Sequence, residues 1–322
     1  MKKVLVILGP TSTGKTDLGL HLAKKYNGEL VACDSRQVYK GLDIGTGKMP
    51  GKDLRFKKYD LRWEIDGINI WMYDVADPKQ QYTVKDYVTQ AEKIIEDIIS
   101  RKKLPIIVGG TGLYLKALLE GLPNLVIQID EKLRGDLEKL SKEKLQEKLQ
   151  SLSPISWENL NESDRQNPRR LLRSIELITM NPYIKTTQNL VNKNEKYDTL
   201  KIGLTAPREV LQKRIFDRLL SRFNSGLVEE VTTLHNNGLN FERMKQLGLE
   251  YGAMVDFLQG NVSKEEIIIK LTNVNYQYAK RQMTWFKKQK DILWVNIDEP
   301  TCLQQVESQV QKWYYLKHDK AD

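Results

Sequence analysis

Four short β-rich runs punctuate the chain: Val4 to Leu8, Leu30 to Cys33, Leu104 to Val108 and Leu200 to Leu204. The first, third and fourth are followed within a few residues by Gly, Pro or Thr and then by helical patterns. Buried strands alternating with helices predict a parallel sheet covered by helices. Between Thr83 and Arg101 the apolar positions Val84, Tyr87, Val88, Ala91, Ile94, Ile95 and Ile98 recur at helical spacing, so this helix packs one face on the sheet.

The pattern changes after residue 121. Asp130 to Leu152 alternates acids and bases around a thin stripe of Leu133, Leu137, Leu140, Leu145 and Leu149, the signature of a solvated helix face. A second helix is predicted from Pro168 to Met180, followed by a polar stretch from Thr186 to Asp198. Residues 122–198 thus read as a helical insertion domain within a core formed by residues 1–121 and 199–322. The last third is again helical, over Pro207 to Phe223, Val228 to Asn236, Tyr251 to Leu258 and Ser263 to Phe286.

Composition narrows the class. A length of 322 residues suits about two domains, and 40% hydrophobic with 29% charged residues excludes disorder as the main state. Lys and Arg number 51 against 42 Asp and Glu, a formal charge of +9 that favours polyanionic partners. Cys33 and Cys302 lie far apart and form neither a metal-ligand pair nor a disulfide framework, which suggests a reducing compartment. The apolar run at the N-terminus is too short for a secretory or membrane-spanning segment. A cytoplasmic monomer with no membrane partner is expected.

Gly9-Pro10-Thr11-Ser12-Thr13-Gly14-Lys15-Thr16 fits G-x-x-x-x-G-K-[ST] between a predicted strand and a helix. There the loop amides and helix N-terminus cradle an anion, Lys15 reaches the terminal phosphates and the Thr16 hydroxyl can ligate Mg²⁺. The motif is a nucleotide-binding signature that specifies a diphosphate or triphosphate without saying which. It makes the core α/β and P-loop NTPase-like. Asp34 ends the second run, where it suits either a metal-related role or a general base above the loop, since both lie at the carboxyl edge of the sheet. Capping a turn is its plain alternative. The third run ends in Gly109-Gly110-Thr111-Gly112, whose glycines permit close backbone approach at the same edge.

The chain resembles the tRNA dimethylallyltransferase (tRNA isopentenyltransferase) family. The blocks that carry the likeness follow the family's order: GPTSTGKT, DSRQVYKGLDIGTGK from Asp34, VGGTGLYLKALLEGL from Val108, NPRRLLRSIEL from Asn167, GLVEEV from Gly226, QLGLEY from Gln246 and YAKRQMTWF from Tyr278. The resemblance implies a phosphate loop that binds dimethylallyl diphosphate with Mg²⁺ instead of ATP. The prenyl group would go to N6 of the adenosine immediately 3′ of the anticodon, in tRNAs reading codons that begin with U. Asp34 matches the catalytic aspartate and Thr111 a threonine beside the reacting centre. Arg214 and Arg218, at i and i+4 on one helix face, match positions from which an arginine reaches the diphosphate.

The chemistry supports these roles independently. An exocyclic adenine amine is a poor nucleophile that gains from a carboxylate within hydrogen-bond reach, and departing diphosphate gains charge that Lys15, Mg²⁺ and the loop amides stabilise. Reaching N6 requires the base to be extruded from the anticodon loop. Matching family positions that contact the RNA are Asp34, Ser35, Arg36, Gln37 and Thr111; Arg134; and Arg169, Arg170, Leu171, Leu172 and Arg173. Further contacts carried over are Met244, Lys245, Gln246, Leu247, Gly248 and Leu249, then Asn275, Tyr276, Gln277, Tyr278, Ala279, Lys280, Arg281 and Gln282. Arg165 to Arg173 and Tyr278 to Lys290 are basic clusters without an acid, suited to phosphates and, through aromatic rings, to bases. Trp285 and Phe286 read better as core.

The sequence departs from the family at Gly47, where alanine is frequent, at Asn167, where aspartate is common, and at Gly248-Leu249-Glu250, where Gly-Tyr-Lys or Gly-Tyr-Arg is usual. None of these departures touches the phosphate loop, Asp34 or Thr111, so they bear on the assignment of individual RNA contacts and not on the reaction. No Cys and His cluster follows Phe286, which indicates a bacterial-type member. Two other functions compete: prenylation of free AMP or ADP, and small-molecule phosphorylation. The long basic C-terminal third and the YAKRQMTWF block argue against the first, since a free nucleotide does not require such a surface.

Overall fold

The computed structural model describes residues 2–51, 53–122, 124–125, 127, 130–180 and 196–316. The chain divides into two compact units, Met1–Leu119 with Glu195–Asp322, and Glu120–Asn194. The first part of the chain runs β1 (Lys2–Leu8), α1 (Lys15–Lys25), β2 (Gly28–Cys33), β3 (Phe56–Tyr59), β4 (Arg62–Ile65), β5 (Ile68–Trp71), α2 (Val84–Ser100), β6 (Leu104–Gly109) and α3 (Gly112–Glu120). The second unit holds α4 (Glu131–Glu138), α5 (Lys142–Leu152), α6 (Pro154–Glu158), α7 (Glu162–Arg165) and α8 (Pro168–Met180). The chain continues with β7 (Tyr197–Thr205), α9 (Arg208–Asn224), α10 (Leu227–Asn236), α11 (Phe241–Gln246), α12 (Leu249–Leu258), α13 (Lys264–Phe286), β8 (Ile292–Asn296) and α14 (Cys302–Tyr315).

The strands form one sheet in the order β3-β4-β5-β2-β6-β1-β7-β8. Four adjacent interior strands, β2, β6, β1 and β7, are the four runs read from the sequence, and all are mutually parallel. Val4 to Leu8 are at most 1% exposed, as a strand covered on both faces requires. The register sets Leu8 and Cys33 each beside Gly109, so the segments after β1, β2 and β6 leave the sheet at one edge. The helix predicted between Thr83 and Arg101 is α2, closed by a capping box of Thr83 and Asp86.

The sheet is not wholly parallel, which corrects the expectation. β3, β4 and β5 pair antiparallel at one edge. These strands have four residues each, and β3 is exposed throughout, so no apolar run marks them. Asp66-Gly67, both at positive φ, joins β4 to β5 and was the legible signal of a two-residue hairpin turn. β8 and α14 also went unread. The region 130–152 is two helices, because Ser141 caps a new helix after α4 ends. The polar stretch from residue 186 lies, up to residue 195, outside the described residues.

Glu29 fastens the edge hairpin to the core. It is 1% exposed, and its carboxylate accepts hydrogen bonds from Arg101 and Lys103 and from the side chains of Trp71 and Asn69 on β5. Burial pushes this carboxyl up, but those donors outweigh it and hold its pKa far below the usual carboxylate range. A depressed folded pKa adds stability above the unfolded value, lost as pH falls through the folded one. Glu29→Gln should therefore cost about 2 kcal/mol at neutral pH. In urea unfolding followed against pH, the gap between wild type and variant should narrow below the unfolded carboxyl value of 4.5.

In the second unit, Leu137, Leu145, Leu149, Leu171, Leu172 and Ile175 form a separate core. Beside it Glu176, fully buried, accepts from Arg134 Nε at 2.6 Å and Nη2 at 2.7 Å, and from Arg173 Nη1 at 3.0 Å.

Candidate active site

The loop after β1 turns through Gly9 (φ 139°), Ser12 (φ 66°) and Gly14 (φ 81°) before α1 begins at Lys15. A Cβ at Gly9 would lie 2.5 Å from the Leu204 carbonyl oxygen, so only glycine lets the loop leave the sheet there. Thr13 Oγ1 and Lys15 Nζ both donate to the Pro10 carbonyl, at 2.9 and 2.7 Å, which draws the loop closed. Burial, then the charge of Arg218, lowers the Lys15 pKa to about 7, with Asp34 opposing. An ammonium held under such strain is relieved by an arriving anion.

Both candidate arginines of α9 meet this loop. Arg214 Nε donates to the Ser12 carbonyl at 2.8 Å, and Arg218 Nη2 donates to Thr11 Oγ1. Burial, then Arg222, brings Arg218 down to about 9. Among the described residues, its Nε and the Ser12 hydroxyl are buried polar groups without a partner. Such orphans at a cationic loop suit a multiply charged oxyanion.

Asp34 leaves β2 beside the loop. Its Oδ1 accepts the amides of Arg36 at 2.8 Å and Gln37 at 3.4 Å, fixing the carboxylate; among the described residues no donor reaches Oδ2. Thr111 Oγ1 accepts the Ser35 amide at 3.0 Å, which leaves its hydroxyl proton to donate elsewhere. Gln282 on α13 ties the two turns together, accepting from the Thr11 amide at 3.0 Å and donating to the Gly110 carbonyl at 2.9 Å.

The phosphate loop, Asp34, Arg214, Arg218 and Gln282 line one cavity of about 430 Å³, whereas Thr111 stands next to its lining residue Gly110 without lining it. Lys15, Thr16, Asp17, Arg214 and Arg218 form its polar part with Asp34, Gln37 and Tyr278, while Leu20, Met49, Pro50, Leu54, Ile65 and Val108 give it an apolar wall. Part of that wall comes from the edge hairpin and its preceding loop, which the sequence reading missed. Lys48 also lines the cavity. Its side chain is buried, donating to the Tyr39 carbonyl at 2.8 Å and paired with Asp43 and Asp74. Its place in the Asp34 to Lys48 block was the available signal.

The other RNA-contact candidates divide by exposure. Lys245, Gln246, Gln277, Lys280 and Arg281 are exposed, as are Arg169 and Arg170, although Arg170 pairs with Asp164. Ser35, Arg36, Gly248, Leu249, Tyr276 and Tyr278 are partly buried, and Arg36 packs over Gly248. Leu171, Leu172, Met244, Leu247 and Ala279 turn into the two cores, so these side chains offer nothing to RNA. Asn275 is buried against its own helix, donating to Leu271 at 3.0 Å, and Gln282 is spent on the clamp. Arg134 and Arg173 are bound to Glu176 and brace their own unit. Phe286 is core and Trp285 packs on Gly112, which agrees with the reading of that pair.

The fold and cavity define a phosphate-loop transferase, with a fixed carboxylate and a half-apolar cavity beside the anion cradle. The sequence is matched by the IPP transferase family over residues 37–289 and by an isopentenyl transferase family over residues 2–59. It is 39% identical over 286 residues to tRNA dimethylallyltransferase 2 of Treponema denticola, covering 88% of this chain and 91% of that one. The structure resembles the full-length tRNA isopentenylpyrophosphate transferase of Bacillus halodurans, with a TM-score of 0.69 at 31% identity over 97% of each chain. It also resembles a eukaryotic dimethylallyltransferase described as acting on tRNA, with a TM-score of 0.80 at 26% identity, over 99% of this chain and 82% of that one. The chain belongs to the IPP transferase family.

Proposed function

We propose that the protein transfers a dimethylallyl group from dimethylallyl diphosphate to N6 of the adenosine 3′ of the anticodon, releasing diphosphate. The observation that carries this reading is the single cavity in which a cationic phosphate loop, the Asp34 carboxylate and an apolar wall meet. A five-carbon chain on a diphosphate uses both ends of this cavity, the apolar wall and the cationic loop.

In the transfer the bond between the allylic carbon and the diphosphate oxygen breaks as N6 forms its bond to that carbon. Asp34 Oδ2 orients the amine and accepts the proton it loses. Lys15, Arg214, Arg218 and the loop amides hold the departing diphosphate more strongly as its charge grows. The Thr111 hydroxyl donates towards the leaving oxygen. Mg²⁺ would be held by the Thr16 hydroxyl, with the Asp17 and Asp34 carboxylates also lining the cavity, while no cluster of three or more metal-ligating acids, His or Cys occurs among the described residues. The ion prefers a few protein oxygens and substrate phosphates to a full protein cage, and would neutralise charge there.

Labelled dimethylallyl diphosphate supplied with undermodified tRNA, with AMP and with no acceptor tests the reading, alongside an ATP turnover assay. Label should enter tRNA alone; label in AMP, or ATP turnover without prenyl transfer, overturns it. A second prediction separates the basic residues of the smaller unit. Arg169→Ala should weaken tRNA binding and reduce the salt slope by about one phosphate contact. Arg134→Ala should instead destabilise that unit, because it removes two of the hydrogen bonds to buried Glu176 and leaves Arg173 as its remaining cation. Filter binding across a salt series and thermal unfolding distinguish the two.

A further inference from the structure

Gly45, Thr46 and Gly47 form a tight segment whose last two residues line the cavity with Lys48. It is gripped from two sides. Glu230 on α10 accepts the consecutive amides of Asp43 at 2.9 Å, Ile44 at 2.7 Å and Gly45 at 3.1 Å, and also the Tyr251 hydroxyl at 2.8 Å. Burial and the Glu230 charge push the Tyr251 phenol well above its usual pKa, so it remains a donor. Tyr251 stands against Gly45, where a Cβ would be 2.6 Å from its hydroxyl oxygen. On the other side Arg222, 6% exposed, pairs with Glu250 at 2.9 Å and stands against Gly47, where a Cβ would be 2.5 Å from Nη2. Gly47 has φ 73°, so the segment cannot relax by ordinary backbone adjustment around a side chain.

A carboxylate committed to three successive amides fixes a loop's backbone as few side-chain contacts can. Neither Glu230 nor Tyr251 lines the cavity, yet both hold the segment that does. We infer that Glu230 with Tyr251, and Arg222 with Glu250, are positioning residues that brace Gly45–Gly47 as a wall of the cavity that takes the donor. This rests on the donor reading above. Loosening the brace lets the segment drift from the cavity, which weakens the hold on the donor more than it affects RNA binding.

The test uses the full chain with Glu230→Gln, Tyr251→Phe and Glu250→Gln. Donor KM, tRNA KM and kcat per folded molecule are measured, with binding of inorganic diphosphate and Mg²⁺ by calorimetry in parallel. A glutamine at 230 turns its amide N–H towards backbone donors, so donor KM and diphosphate Kd should rise about tenfold, and about threefold for Tyr251→Phe. The tRNA KM should stay within twofold. Donor KM and diphosphate Kd unchanged while only thermal stability or folded fraction falls would overturn the brace. If Glu230→Gln does not fold, the two milder variants decide by the same criterion. Diphosphate Kd judges the brace even in a wild-type protein that transfers no prenyl group, the outcome that would sink the functional reading alone.

Discussion

Asp34→Ala should lower kcat by 10² or more while leaving donor affinity within a few-fold of wild type. Loss of a positioned base costs on that order, and the carboxylate is positioned: its Oδ1 is pinned by two backbone amides. The anion, in contrast, is held by groups from the phosphate loop and α9. Single-turnover prenylation of tRNA, paired with diphosphate binding, separates the two quantities. A variant turning over at the wild-type rate would remove Asp34 from the chemistry, and one that lost donor binding equally would make it a binding residue. Asp34→Asn is the sharper companion, since it keeps the backbone turn and removes the proton acceptor.

Lys15→Ala should raise donor KM by about 10 to 10²-fold, the loss expected of a charge-assisted contact to phosphate, and lower kcat as well. Its pH signature is specific. With the cavity empty the lysine titrates near 7, so above that pH it is largely neutral, and binding a diphosphate must draw a proton onto it. Affinity should fall as pH rises through this range. Calorimetry in two buffers of different ionisation enthalpy should detect proton uptake that Lys15→Ala abolishes. The stability sign is opposite to the activity sign. A lysine whose folded pKa lies below its unfolded value of 10.5 opposes folding at lower pH, so the inactive variant should melt higher than wild type. A lower melting point would mean that Lys15 supports the loop through its bond to Pro10 more than its burial costs.

What the sequence disclosed and what it hid follow from the physics of each element. The central strands are continuous apolar runs, and the loop after β1 must be glycine-rich to clear Leu204; both leave marks that local reading can find. The edge strands leave none, because an exposed four-residue strand such as β3 needs no apolar pattern. Resemblance placed Arg134 and Arg173 on RNA, and the fold pairs both with a buried carboxylate forty-two and three residues away. Only the fold brings that partner near Arg134. The brace around Gly45–Gly47 was hidden for the same reason: Glu230 and Asp43 are separated by 187 positions.

The clamp made by Gln282 bears on how such an enzyme can be dissected. One side chain near the end of α13 holds the phosphate-loop amide at Thr11 and the β6 turn at Gly110. The phosphate-loop cradle thus takes its shape from a helix that lies some 270 residues further along the chain. The first hundred and twenty residues are therefore no portable module for grafting onto other acceptors. Truncations that remove α13 would also unlatch the cradle, and on the ribosome the site is completed only once α13 has been made.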